Sequence, residues 1–365
     1  MYGRGFWDSI GYRFLKSVNI QDVLVFTVAV VFFAWEIYAL SVGRATARSG
    51  LPDNYGNFEK NMRPIESGEQ KDSFSFGVVG DPHSSGTFER LCEKLQNEPL
   101  SFIVITGDFS KRCRKRYHDF FIYQCANTYD LSVPVFLIPG NRDVDYDNTC
   151  GNDISMDQFR SMYGPENFCF EYSGCLFVGV CTFPDHVSSA GGIDYLENTL
   201  AARRKKGQKV FVFTHVPSVM KPGLKTGTFK ERNRFIEIVN RYEVDYVFAS
   251  HYHGYARSER DGTVYLVTGG GGAELAETES FGGLHHAMVL AVDGDSVSEK
   301  IILAQSRQKP SSRLARASLA YLNPVLAKHT AGSIAVNLLV FAVFCRSFGK
   351  CLLRANETKR SIAGR

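Results

Sequence analysis

Seven side chains able to bind a metal ion stand just past the ends of five short apolar runs. SFSFGVV leads into Gly80-Asp81-Pro82-His83, SFIVIT into Gly107-Asp108, and VPVFLI into Gly140-Asn141-Arg142-Asp143. KVFVFT ends at His215, and DYVFAS at His251-Tyr252-His253. Four of the nine histidines occupy these positions. A Gly-Asp after a strand is by itself most often a turn, and each fragment alone has that plain reading. Taken together, and in this order, they read as one site. In open α/β sheets the carboxyl ends of parallel strands share an edge, and ligands bind there. Such an edge would gather Asp81, His83, Asp108, Asn141, His215, His251 and His253.

Three carboxylate or amide groups with four imidazoles exceed what one tetrahedral zinc takes, and no thiolate is among them. Mixed nitrogen and oxygen donors suit two ions such as Mn, Fe, Zn or Co. A carboxylate can serve as the anionic bridge that two ions share. Such a pair supplies a nucleophilic hydroxide near neutral pH and clamps phosphoryl oxygens during in-line displacement. The expected cofactors are therefore two divalent or trivalent metal ions, and the expected substrate is a phosphate ester.

GDPH, GD, GNRD, FTH and SHYH, in that order between Phe74 and Leu303, resemble the motifs of the calcineurin-like metallophosphoesterase superfamily. The set is specific for the superfamily and says little about a substrate. The resemblance implies an α/β fold, a two-sheet β-sandwich flanked by helices, with a dinuclear site on one edge. Carried over by position, Asp81, His83 and His253 would hold the first ion. Asn141, His215 and His251 would hold the second, with Asp108 as the bridge. Asn141, Arg142 and Asp108 would be the catalytic residues.

Arg142 departs from the pattern. Most of the superfamily has histidine there, read as a phosphate contact and general acid for the leaving group. Arginine stays protonated at any working pH, so it stabilises phosphoryl charge without usefully donating a proton. The group that cleaves the pyrophosphate of UDP-diacylglucosamine, a lipid A precursor, is similar in having arginine at that place. The departure favours a leaving group that needs no strong protonation, such as a phosphomonoester or pyrophosphate. It also leaves a rival reading, a catalytically weak, membrane-tethered module that binds phosphate or acts as a scaffold. Asp143 is expected to orient a neighbour rather than to bind metal.

The elements that must position these groups are short β-branched or aromatic runs alternating with helical stretches, from Phe74 to about Ala304. Helices are expected at Thr87–Gln96, Tyr117–Tyr129, Ile193–Arg204 and Thr228–Asn240. The runs Val264–Val267, Ala287–Val292 and Val297–Leu303 follow closely, with a hairpin signal at Asp293-Gly294. The sheet is thus expected to begin as βαβ and to end as an antiparallel meander. Lys111, Arg112, Arg114, Lys115 and Arg116 read either as a loop meeting an anionic substrate or as a solvated helix start. His285-His286 precedes a strand and reads as hydrogen-bonded and structural, with an approach to the site as the alternative. Gly269–Gly272 lacks the Lys-Ser/Thr ending of a phosphate loop and reads as a close-packed turn.

Outside this region the chain changes character. Val23–Val42 has the length needed to span a bilayer core, with Glu36 as its one charge, placed to snorkel near the end. A buried helix and a cleaved leader ending at Ala45-Thr46-Ala47 are the alternatives. Thr330–Cys345 falls just short of a span unless Phe348, Leu352 and Leu353 extend it. Residues 307–328 carry five Lys or Arg and no acid, and residues 346–365 carry six against one Glu. The chain is +4 overall, so its middle is acidic and its flanks basic. That pattern argues against a nucleic-acid partner and for flanks that meet anionic lipid headgroups.

The organisation that follows is a basic segment 1–22, a transmembrane helix 23–43 and a linker 44–72. A metallophosphoesterase domain 73–306 comes next, then a basic juxtamembrane segment 307–329. A second transmembrane or interfacial helix 330–353 and a basic tail 354–365 complete it. Arg4, Arg13, Lys16 and the basic tail put the termini in the cytoplasm and the catalytic domain outside it. Tethering at both ends favours a lipid-linked phosphate substrate. No C-x-x-C pair occurs among the nine cysteines, so a zinc ribbon or redox motif is unsupported, and the thiols are expected to be free and buried, with pairing of some in an oxidising compartment as the alternative.

Overall fold

The computed structural model describes residues 20–147, 154–219, 227–276, 282–305 and 308–363, with side chains in the last helix described to Lys350 and at Leu353. Among these residues the chain forms two units, 46–316 and a helical unit from the two flanks.

Eleven strands build the larger unit among the described residues. They are β1 (Ser73–Val79), β2 (Leu100–Ile105), β3 (Val135–Leu137), β4 (Phe168–Tyr172), β5 (Cys175–Val180) and β6 (Val210–Thr214). The others are β7 (Tyr246–Ala249), β8 (Tyr255–Arg260), β9 (Thr263–Thr268), β10 (His286–Asp293) and β11 (Ser296–Leu303). They form two mixed sheets, in the orders β11-β10-β1-β2-β3 and β4-β5-β6-β7-β9-β8. The five site-bearing strands are therefore divided, β1 to β3 in one sheet and β6 and β7 in the other. The expected closing meander is divided too. β9 pairs parallel with β7, whereas β10 and β11 form a hairpin on β1. Sequence proximity is a poor guide here because the chain switches sheets between β9 and β10.

Period-2 patterning explains the interface between the sheets. SFSF in β1 and VFVF in β6 point alternate phenylalanines at each other, and Phe76, Phe102, Phe177, Phe211, Phe213 and Phe248 are fully buried. Phe76 meets Phe177 and Phe211 edge-on, with ring centroids 5.4 and 5.2 Å apart. Each such ring contributes about 1.5–3 kcal/mol by burial, so the paired carboxyl ends of the sheets rest on a rigid core. The outer faces are covered by helices, including Gly86–Leu95, Lys115–Asn127, Ala190–Arg203 and Arg232–Arg241.

The stretch 44–72, read above as a linker, is part of the folded unit. The first apolar helix runs through it to Ser49, and a further helix covers Glu59–Glu66. Tyr55 is buried and bridges to Val135, while the Asn57 side-chain amide donates to the carbonyls of Leu137 and Pro165. Polar residues that satisfy buried backbone groups look like linker composition. The basic stretch 307–329 is likewise ordered over its described part, as Pro310–Arg316, a π-helical turn Ala317–Leu322, and Asn323–Lys328.

The helical unit contains two helices long and apolar enough to cross a membrane, Ile20–Ser49 and the first 21 residues of Thr330–Ala363. Phe26 stacks on Phe344 at 4.9 Å, and Trp35 Nε1 donates to Ser318 Oγ at 3.0 Å. Glu36 is not at the helix end as expected. The helix continues through Arg44 and Arg48, leaving Glu36 near its middle and buried. Cys92, Cys125, Cys169, Cys175, Cys181 and Cys345 are free thiols, and Cys150 lies outside the described residues.

Candidate metal centre

The strand ends turn sharply. Asp81, His83, Ser84, Asp108 and His251 all have φ between 50° and 64°. Left-handed backbone costs a non-glycine residue about 1–2 kcal/mol, so five of them together mark a region over-determined by its surroundings. The loops brace one another. The amides of Asp81 and His83 donate to the carbonyls of Gly107 and Asp108 at 3.1 and 3.0 Å, and the Ser250 amide donates to the His215 carbonyl at 2.8 Å. Gly107 has φ 100°, and a Cβ there would strike the His215 ring. At Gly269 a Cβ would come within 2.5 Å of Asp81 Oδ2.

All seven residues singled out in the sequence come together. Donor atoms of Asp81, His83, Asp108 and His253 lie within 4.8 Å of one another. His83 Nε2 is 3.5 Å from Asp108 Oδ2, and His253 Nε2 is 3.8 Å from Asp81 Oδ1. On the other side, His215 Nε2 and His251 Nδ1 lie 3.0 and 2.9 Å from Asn141 Oδ1, and His215 Nε2 lies 3.5 Å from Asp108 Oδ1. Asp108 thus turns one oxygen to each group, and its Oδ1 also accepts the Arg142 amide at 2.7 Å.

The donors fit cations. Asp81 Oδ1 and His83 Nε2 are buried without any hydrogen-bond partner, a costly state for a polar atom unless an ion meets it. His215 Nδ1 sits 2.9 Å from the Thr106 carbonyl, which can only accept, so the ring proton belongs on Nδ1. The Nε2 lone pair then faces the Asn141 oxygen, acceptor against acceptor. The Glu274 carbonyl, 2.7 Å from His253 Nδ1, fixes that ring in the same sense. Backbone carbonyls orient metal-binding imidazoles in this way.

Electrostatics agrees. Burial, then the charge of Asp108, pushes the Asp81 carboxyl well up. For Asp108 burial acts upward too, but His215 and His83 hold its carboxyl well below the usual carboxylate range. Burial lowers His215 and His253, and lowers His251 to about 4, so all three are neutral and able to bind metal at pH 7.

The calcineurin-like phosphoesterase signature matches residues 74–255. Those residues belong to the calcineurin-like phosphoesterase family. Purple acid phosphatase PPD1 from yellow lupin (Lupinus luteus) is similar in structure, with a TM-score of 0.51 and 17% identity over 66% of this chain and 53% of that one. The chain thus spans about half the length of the lupin protein. A dimetal phosphatase from Danio rerio gives a TM-score of 0.49 at 14% identity, over 62% of this chain and 95% of that one. GAP50, the anchor in the inner membrane complex of Plasmodium, gives 0.49 at 15% identity, over 68% and 95%. At these identities the likeness is one of fold. No curated protein matches the chain.

By that family match, the domain holding residues 74–255 is a metal-dependent phosphoester hydrolase. Two features of this phosphoesterase's site stand apart from the seven donors. Arg142 is half-buried, with Nε 3.4 Å from Asp108 Oδ2. Asp143 is fully buried and accepts the amides of Gly140 and Ser110 at 2.9 and 2.8 Å, so it locks the β2 and β3 loops together. His286, deep against Thr268, is structural.

Sequence reasoning missed Ser250, whose hydroxyl lies 3.0 Å from His215 Nδ1, and Arg316, which lines the cleft over the site. Ser250 could have been noticed as the neighbour of His251. Arg316 carries no local signal at all.

Proposed function

We propose that this chain is a membrane-anchored, dinuclear metal-dependent phosphoesterase acting on a lipid-borne phosphate. The observation that supports it most is Asp108, buried and offering one oxygen to each of two donor groups. In this reading Asp81, His83 and His253 hold one ion, Asn141, His215 and His251 hold the other, and Asp108 bridges. The identity of the ions, among Mn, Fe, Zn and Co, is open to metal analysis. When bound, the ions supply an activated water and Lewis acidity. The chain's own residues do the rest. The His215, His251 and His253 imidazoles stay neutral because burial lowers their pKa. Arg142 reaches over the site from the Asn141 loop and stabilises charge on the phosphoryl group. It donates no proton, so the substrate has a leaving group that departs as an anion.

The lipid part of the reading is supported by apolar helices on both flanks of the domain and by the basic stretches beside them. Cations close to headgroups attract an anionic surface by about 1 kcal/mol each. Tethering raises the effective concentration of substrates in the same bilayer. The catalytic domain stands on the extracytoplasmic side in this reading. Reporter fusions at residue 310 that work only in the cytoplasm would reverse that.

The test is turnover by the full chain in vesicles, loaded with Mn²⁺, on a panel of lipid phosphates and soluble esters. Lipid-borne phosphates should give kcat/KM at least about tenfold higher. Preference for soluble nucleotides or sugar phosphates sinks the lipid assignment. The presence of arginine at 142 favours one other reading, a phosphate-binding scaffold. Two bound metal equivalents with no turnover on any ester would establish that instead.

A further inference from the structure

The cleft over the metal-facing residues has a volume of about 530 Å³ and is lined by His83, His253, Lys111, Arg142, Glu274 and Arg316, among others. That is room for a small molecule rather than for one phosphate group. Its charge is the informative part. Three of these residues are Lys or Arg and one is acidic.

Several basic side chains elsewhere on the domain are matched. Lys115 pairs with Asp119, Arg160 with Glu166, Arg234 with Glu197 and Lys300 with Glu98, all within 2.8 Å. Among the described residues, neither Lys111 nor Arg316 has a carboxylate partner. Nor is their placement casual. Lys111 follows β2 by a few residues, in the loop that carries Asp108. Arg316 ends the helix Pro310–Arg316, which packs on Lys115–Asn127 through elements in contact, with Ser312 and Ala315 fully buried. Two segments about 200 residues apart thus bring cations with no carboxylate partner among the described residues to the lining of one cleft beside Arg142.

We propose that Lys111 and Arg316 form a second anion subsite, and that the substrate carries two adjacent phosphate groups, as in a pyrophosphate. The inference rests on the hydrolase reading above and deepens it. One phosphorus lies at the metal-facing residues with Arg142. The other phosphate lies against Lys111 and Arg316. Water adds to the first phosphorus, the bridging P–O bond breaks, and the bridging oxygen leaves with its electron pair on the second phosphate. The proton of the attacking water goes to solvent. The departing charge is met by two cations, so no general acid is required where arginine replaces histidine.

The same chemistry could come from a lipid-linked pyrophosphate or a soluble nucleoside diphosphate, and the experiment separates them. Full-length protein with excess Mn²⁺ is compared with K111M, R316M and the control R313M, which alters the exposed Arg313 of the same helix. Calorimetry measures affinity for inorganic pyrophosphate and for phosphate. Kinetics measures a lipid pyrophosphate, a nucleoside diphosphate and an aryl monophosphate.

K111M and R316M should each weaken pyrophosphate binding about tenfold, the scale of one charge-assisted contact, and phosphate binding far less. R313M should match wild type. Preferential loss of kcat/KM on the lipid substrate identifies the lipid source, and on the nucleotide the soluble one. Equal losses for phosphate and pyrophosphate, no loss, or an equal loss in R313M overturns the subsite. If no ester turns over yet pyrophosphate affinity falls as described, the hydrolase reading fails and the subsite stands.

Discussion

The two halves of the candidate centre are held differently. Around Asn141, His215 and His251 every group is neutral, the contacts are 3.0 Å or less, and His215 is fully buried with its second nitrogen anchored to the Thr106 carbonyl. Around Asp81, His83 and His253 a carboxylate lies fully buried, two donor atoms have no partner, and the imidazole-carboxylate distances are 3.5 and 3.8 Å. In the first half His215 is packed as part of the core, with Asn141 and His251 half-buried beside it. The second half holds a buried carboxyl whose ionisation is costly until a cation meets it. Cation binding there should therefore couple most strongly to stability.

The largest effect expected belongs to the residue the halves share. Asp108→Asn should lower kcat/KM by roughly 10²–10³-fold and drop bound metal below two per chain. Elemental analysis beside kinetics checks this. Full occupancy in the variant would mean that Asp108 does not bridge. Asp143→Ala should instead leave metal content near wild type while costing about 3 kcal/mol, because buried amides of Gly140 and Ser110 lose their acceptor. Denaturant titration measures that cost, and equal metal loss in both variants would erase the distinction.

Acidification should cost a similar amount. Burial lowers His118 to about 3 and His286 to about 4, from an ordinary 6.5. The unfolded chain takes up protons below pH 6.5 while the folded chain does not. Stability is thus fully present above 6.5 and declines as pH falls toward 4, by on the order of 3 kcal/mol for each histidine. His118→Gln should flatten that decline. An unchanged slope would show that His118 is protonated in the fold.

The smallest effects test the comparison most directly, in protein stripped of metal by a chelator. Asp81→Asn removes a buried carboxyl that burial and the neighbouring Asp108 make costly to ionise, and should stabilise that form by about 1–3 kcal/mol. His215→Ala empties a packed, anchored position and should destabilise it by about the same amount. Thermal denaturation of the two variants reads the signs. Equal signs would mean that the halves do not differ as described.

The seven donors and their order were legible in the sequence, because each needed only an apolar run ending in a polar residue. The strands before Asp81, Asp108, Asn141, His215 and His251 were legible for the same reason, period-2 burial being a local signal. Division of those strands between two sheets was not, since pairing partners are chosen by long-range contacts that leave no mark on local pattern. The folding of 50–66 against β3 escaped notice because Asn54 and Asn57 satisfy backbone groups some 80 positions away. Asp108 was readable as a candidate bridge from motif order alone, but only the tertiary structure turned its two oxygens toward different groups. Arg316 marks the limit. Nothing near it in sequence speaks of a phosphate site, and it reaches the cleft solely because a distant helix packs there.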